Sequence, residues 1–170
     1  WTVASGLWRS VSGAGSALTL NGLKNGLACL LFLPVLLTIA WLDYRDAVVG
    51  LLISGAIGIA AGDSFYLAAL RWLGTRRTLT VEALGPVLAN IGSVVMMGEV
   101  LSSRAWIGAG LVTIAVMLVA RSSESTGQDP TGLMLALTAV ICGLTGAFLA
   151  RQVLISSGLS PIQTAAIRLL

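Results

Sequence analysis

The chain has 170 residues, 56% of them hydrophobic and only 10% charged, with a mean hydropathy of +0.95. An ordinary soluble domain carries about 25% charged residues, so a water-soluble enzyme, a disordered segment and a nucleic-acid module are all excluded by composition. The net charge of +3 comes from ten basic residues scattered singly; they form no patch that could track phosphates, and no nucleic-acid partner is expected.

Read in chain order, the charges divide the sequence into lengths that match a bilayer, for which a spanning helix needs about 20 mostly apolar residues. Residues 1–8 read as the tail of a first span. Residues 25–42 are uncharged, with Lys24 at the entrance. Residues 47–70 hold a single charge, Asp63. Residues 83–98 lie uncharged between Glu82 and Glu99, and borrow 79–81 to reach full length. Residues 105–120 lie between Arg104 and Arg121, with Trp106 as an interfacial anchor. Residues 131–150 are closed by Arg151, and 160–170 open a further span with Pro161 in its first turn, where a missing N–H costs nothing. These runs lack the polar stripe of a soluble amphipathic helix. The expectation is an all-α integral membrane protein with five complete spans and two partial ones. Because it begins at Trp1, it reads as part of a longer chain.

The longest polar stretch, 122–130 (SSESTGQDP), has the composition of a linker. It separates an expected first module, 1–121, from the start of a second, 131–170. Gly6-Leu7-Trp8-Arg9 and Gly146-Ala147-Phe148-Leu149-Ala150-Arg151 both end a span in an aromatic residue and then Arg. A small-residue turn follows, with Lys24 and Arg168 near the start of the next helix. Five spans per module is odd, so the second copy enters the membrane upside down, the inverted-repeat frame of secondary transporters.

Candidate chemistry is sparse. There is no histidine, and Cys29 and Cys142 sit in apolar runs as small hydrophobes. No catalytic residue, metal site or cofactor is expected. Asp63 is a charge in a span, costing at least ~2.5 kcal/mol at the bilayer centre; it either faces a cavity or pairs with Lys24 or Arg71 near an interface. Glu82 and Glu99 at span ends read as interfacial charges or as substrate or proton sites. Lys24 and Arg168 either face a cavity, favouring anionic or zwitterionic solutes, or snorkel to headgroups. Gly85-Pro86 breaks the backbone ladder, predicting a kink and a candidate hinge, and Pro34 gives a weaker signal of the same kind. Gly22 and Gly26, like Gly58 and Gly62, are four apart, so each pair can form a helix-packing face.

Residues 62–121 run GDSFYLAALRWLGTRRTLTVEALGPVLANIGSVVMMGEVLSSRAWIGAGLVTIAVMLVAR. Gly62-Asp63, Ala69-Leu70, Pro86-Val87, Gly98-Glu99 and Trp106-Ile107-Gly108 resemble the end of an EamA repeat of the drug/metabolite transporter superfamily. The resemblance implies ten helices in two inverted five-helix halves, of which this chain would be a fragment, moving small organic solutes across the cytoplasmic membrane. Lys24 stands where many members have Arg. The partners so implied are the lipid bilayer and a small solute; a homodimer is compatible with such a fold. With a cytoplasmic N-terminus, as the resemblance implies, the outside ends would carry six cations and the inside ends four, against the positive-inside rule. A non-transporting helical subunit or scaffold is the rival reading; it predicts no wet cavity, with Asp63 and Lys24 buried against each other.

Overall fold

With no water in a bilayer core, each segment crossing it must hydrogen-bond its own backbone, and helices do this within one segment. The computed structural model describes residues 16–121 and 130–170; the expected remnant of a first span at 1–8, Arg9, and 122–129 of the connector lie outside the described residues. Seven helices and one π-helical segment follow in order: α1 (Ala17–Leu36), α2 (Arg45–Gly55), the π segment (Ala56–Ala61), α3 (Gly62–Glu82), α4 (Gly85–Met97), α5 (Ser103–Arg121), α6 (Pro130–Ser157) and α7 (Pro161–Arg168). Ala17–Leu36, Arg45–Glu82 and Pro130–Ser157 are each long and apolar enough to cross a membrane.

The helix boundaries correct two expectations. α1 begins eight residues before position 25, where the Ser16 hydroxyl caps it by accepting from the Thr19 amide at 3.0 Å. Lys24 is therefore inside the span and not at its entrance. Pro34 falls inside the last turn of α1, two residues before the helix ends. The second correction concerns Glu82, and it follows from α3, whose backbone is broken at Gly74 (φ 77°, ψ 166°). That left-handed φ is open to glycine and strained for other residues. One span thus runs over 45–73, and the next starts at Thr75. Thr78 donates from its hydroxyl to the Gly74 carbonyl at 2.9 Å, tying the new helix to the break. The fourth span is then 75–97, interrupted at Ala83-Leu84, and Glu82 lies within it instead of at its end.

α6 is the axis of the packing. Its residues meet those of α2, the π segment and α3 in reverse order: Val153 against Gly50, Gly146 against Gly58, Gly143 against Gly62, and Gly132 against Leu73. The 45–73 span and α6 are therefore antiparallel. Closeness is set by absent side chains. A Cβ on Gly146 would lie 2.7 Å from both the Gly58 Cα and the Ser54 carbonyl oxygen. Ser54, fully buried, donates from its hydroxyl to the Gly146 carbonyl at 2.7 Å. Hydrophobic contacts continue below: Leu51, Ala150, Leu159, Ala166 and Ile167 form one buried cluster with Leu36 and Ile39. Lipid offers no hydrophobic drive between helices, so this close packing and the hydrogen bonds across it supply the association.

Gly58 and Gly62 lie in that contact, both buried. Gly22 and Gly26 do not: both are exposed, and among the described residues nothing lies within 4 Å of an added Cβ. They share α1 with exposed Leu23, Leu27, Leu30 and Leu31, the composition of a lipid-facing surface. The spacing of four was present in both pairs; only the neighbour differs.

At one end of the bundle Glu99, in the α4–α5 connection, is ion-paired with Arg151 of α6. Hydrogen bonding to the Arg151 guanidinium holds the Glu99 carboxyl below its usual range. A depressed carboxyl pKa contributes stability above the unfolded-state value that is lost as pH falls through the folded one. The difference in melting temperature between the native chain and Glu99→Gln is accordingly expected to be largest at neutral pH. It should shrink towards zero as pH falls below the ordinary glutamate value, measured by thermal unfolding in detergent across pH. The same measurement at neutral pH tests the helix contact: Gly146→Ala is expected to lose about 1–3 kcal/mol through overpacking, and Gly22→Ala to lose nothing.

Candidate functional site

A cavity of about 200 Å³ opens where three spans fail to close on one another. Gly58, Gly62, Asp63 and Tyr66 line it from the 45–73 span, Glu82 and Gly85 from the interruption in the fourth span, and Ala139, Val140, Gly143 and Leu144 from α6. Its depth follows from those residues. Gly143 and Leu144 are the central pair of Pro130–Ser157. Asp63 lies four residues past the midpoint of 45–73, about 6 Å along the axis at 1.5 Å per residue. The cavity is thus close to the middle of both helices along their length.

Local sequence explains the opening. Four of the lining residues are glycines, and a Cβ on Gly85 or Gly143 would meet nothing within 4 Å among the described residues. Pro86, in the first turn of α4, has no N–H to give the Glu82 carbonyl, so the helix cannot continue through 82–86. The next carbonyl, of Ala83, is taken instead by the buried Thr113 hydroxyl of α5 at 3.0 Å. Asn90 also donates to the Ala105 carbonyl at 3.2 Å, so α5 braces the broken span on both sides of its turn.

Asp63 connects the cavity to a polar cluster behind it. Its carboxylate is ion-paired with the Lys24 ammonium of α1. One turn of α1 earlier, Asn21 is 2% exposed and its side-chain amide donates to the carbonyls of Ile59 and Ala60 and to the Ser64 hydroxyl, each at 3.0 Å. Both carbonyls belong to the π segment, where i→i+5 pairing shifts carbonyls out of the ordinary helical ladder. Asn25 in turn donates to the Asn21 side-chain oxygen at 3.2 Å. From the other side, Arg168 of α7 lays its guanidinium against the π segment, where a Cβ on Gly58 would come 3.3 Å from Nη2. Its charge reaches Asp63, and its buried Nε has no hydrogen-bond partner among the described residues. A carboxylate flanked by two cations is the arrangement that makes a mid-membrane acid tolerable.

The sequence-derived candidates divide on this geometry. Lys24, Asp63 and Arg168 come together. Neither cation lines the cavity, however, and both charged side chains that do among the described residues are acidic. Glu99 is elsewhere: it is paired with Arg151, which also donates to the Met97 sulfur at 3.0 Å, and it does not line the cavity. Gly85 and Pro86 form the interruption itself, whereas Pro34 sits at the end of α1. The sequence left Glu82 open between an interfacial charge and a substrate or proton site, and gave no sign of Tyr66, which lies among apolar neighbours. Two signals could have found them: Glu82 precedes Pro86 by four, so it ends the half-helix that the proline stops, and Tyr66 is one turn beyond Asp63, on the same face. Among the described residues no group of three or more His, Cys, Asp or Glu could hold a metal ion.

The model of the EamA-like transporter family matches residues 1–121. No curated protein and no solved structure matches the chain. With the family model covering well over half of the sequence, the chain belongs to the EamA-like transporter family, as a multi-pass membrane protein of the drug/metabolite transporter superfamily.

Proposed function

We propose that the protein moves small organic solutes across the cytoplasmic membrane by alternating access, with the cavity beside Asp63 as the solute site. The observation that carries this reading is the position of that cavity. It lies level with the middle of α6, between that helix and the 45–73 span, beside an interrupted helix. Broken spans at the junction of inverted modules are where secondary transporters hold their cargo, and the Gly85-Pro86 interruption supplies a place for the fourth span to bend as one module moves against the other. The Glu99–Arg151 pair joins the two modules at one end of the cavity's walls, a contact that such a motion would open and close.

The scaffold reading has one observation in its favour, the Lys24–Asp63 pair, which a static bundle would use to hold α1 against α3. Access from water separates the two. In the full chain in vesicles, a cysteine placed at Gly143 or Gly85 is expected to be labelled by a membrane-impermeant thiol reagent. Complete protection at both positions would leave the scaffold reading standing.

Flux tests the reading directly. Gly143 faces open space, so Gly143→Phe is expected to fill the cavity and reduce solute flux by about tenfold or more, with the melting temperature preserved. Flux equal to that of the native chain, with correct insertion confirmed, would remove the cavity from the translocation path.

A further inference from the structure

Resting on that transport reading, we propose that the cavity selects a small organic cation, and that the cation competes with Lys24 for the Asp63 carboxylate. Three observations support this class. The charged side chains that line the cavity among the described residues, Asp63 and Glu82, are both carboxylates, whereas Lys24 and Arg168 stand outside the lining. Secondly, Asp63 already holds an alkylammonium, since Nζ of Lys24 is ion-paired with Oδ2. The chain's own amine therefore occupies the carboxylate that a solute amine would use. It does so on a flexible four-carbon stem that can withdraw, and the second cation near Asp63, Arg168, remains when it does. Thirdly, Tyr66 lines the same cavity one turn from Asp63 and is 6% exposed; the face of an aromatic ring attracts a cation within about 6 Å.

A volume of about 200 Å³ corresponds to roughly seven waters at ~30 Å³ each, enough for a compact ammonium ion. In this arrangement Lys24 acts as a tethered competitor. It keeps Asp63 neutralised while the cavity is empty, so that a bare carboxylate is never left in the membrane interior, and it yields the position to the incoming cation. No bond is made or broken in the exchange.

The test uses the full chain in proteoliposomes with labelled tetramethylammonium, whose permanent charge prevents leakage as a neutral base. Saturable uptake is expected, unaffected by tert-butanol, its uncharged near-isostere, or by pivalate, its anionic one. Asp63→Asn is expected to lower kcat/KM for tetramethylammonium by about tenfold or more, the scale of one charge-assisted contact. Lys24→Met, by removing the competitor, is expected to lower KM, a change that a purely structural lysine would not produce; Lys24→Arg, which keeps the pair, is expected to leave KM near the native value. Uptake of pivalate without tetramethylammonium, or an Asp63→Asn variant with native cation uptake, would overturn the cation site while leaving the transporter reading intact. A rise in melting temperature with tetramethylammonium but no flux of any of the three solutes would instead overturn transport and keep the site. Neither flux nor a shift would overturn both.

Discussion

A charge inside a bilayer must find its counter-charge within the protein, and the interior of this bundle is arranged around that requirement. Asp63 sits within about one helical turn of the middle of its span. An uncompensated charge there costs at least ~2.5 kcal/mol. Lys24 reaches it from α1 and Arg168 approaches from α7, so that three helices distant in sequence are drawn to one point. The cluster also uses the irregular backbone beside it: Asn21 holds two carbonyls of the π segment, and glycine at position 58 leaves room for the Arg168 guanidinium. Here the same residues serve electrostatics, helix association and the wall of a cavity.

Close approach and opening are produced by the same residue type. Between the 45–73 span and α6, glycine at 58 and 146 lets two backbones touch, with the Ser54 hydroxyl hydrogen-bonded across the contact. A few residues further along, Gly143 of α6 and Gly85 of the interrupted fourth span line the cavity with nothing opposite them among the described residues, and the missing side chains become empty volume. What decides between contact and cavity is the third helix. Pro86 denies the Glu82 carbonyl its helical donor, the span turns, and α5 accepts the cost by giving the Thr113 hydroxyl to the Ala83 carbonyl. Membership of the EamA-like transporter family is in keeping with a bundle whose middle is deliberately unfilled.

The membrane class, the helical fold and the family were legible before any coordinates, because each depends on quantities that are summed over many residues. Apolar runs of bilayer length, the scarcity of charge and the motifs between Gly62 and Arg121 do not depend on where any one side chain points. Placement within the spans was less legible, for a specific reason: charges were taken as fences. Lys24 and Glu82, however, are compensated or cavity-lining inside the protein, so α1 starts before Lys24 and the fourth span starts before Glu82. The same assumption made Glu82, which lines the cavity, and Glu99, which does not, look alike.

Sequence by itself determined that this chain lives in lipid as a set of helices, that its fourth span must break near Pro86, and that it carries the marks of one transporter family. These follow from hydropathy, from a missing N–H and from local motifs, all of them properties of the chain read in one dimension. Only the tertiary structure decided which glycine pair touches another helix, which of two symmetric-looking cations stands closest to Asp63, and that carboxylates rather than cations line the cavity. Identical spacing on α1 and on the 45–73 span gave a lipid face in one case and a helix contact in the other, because packing and charge pairing depend on the neighbour across the gap, and that neighbour lies far away in sequence.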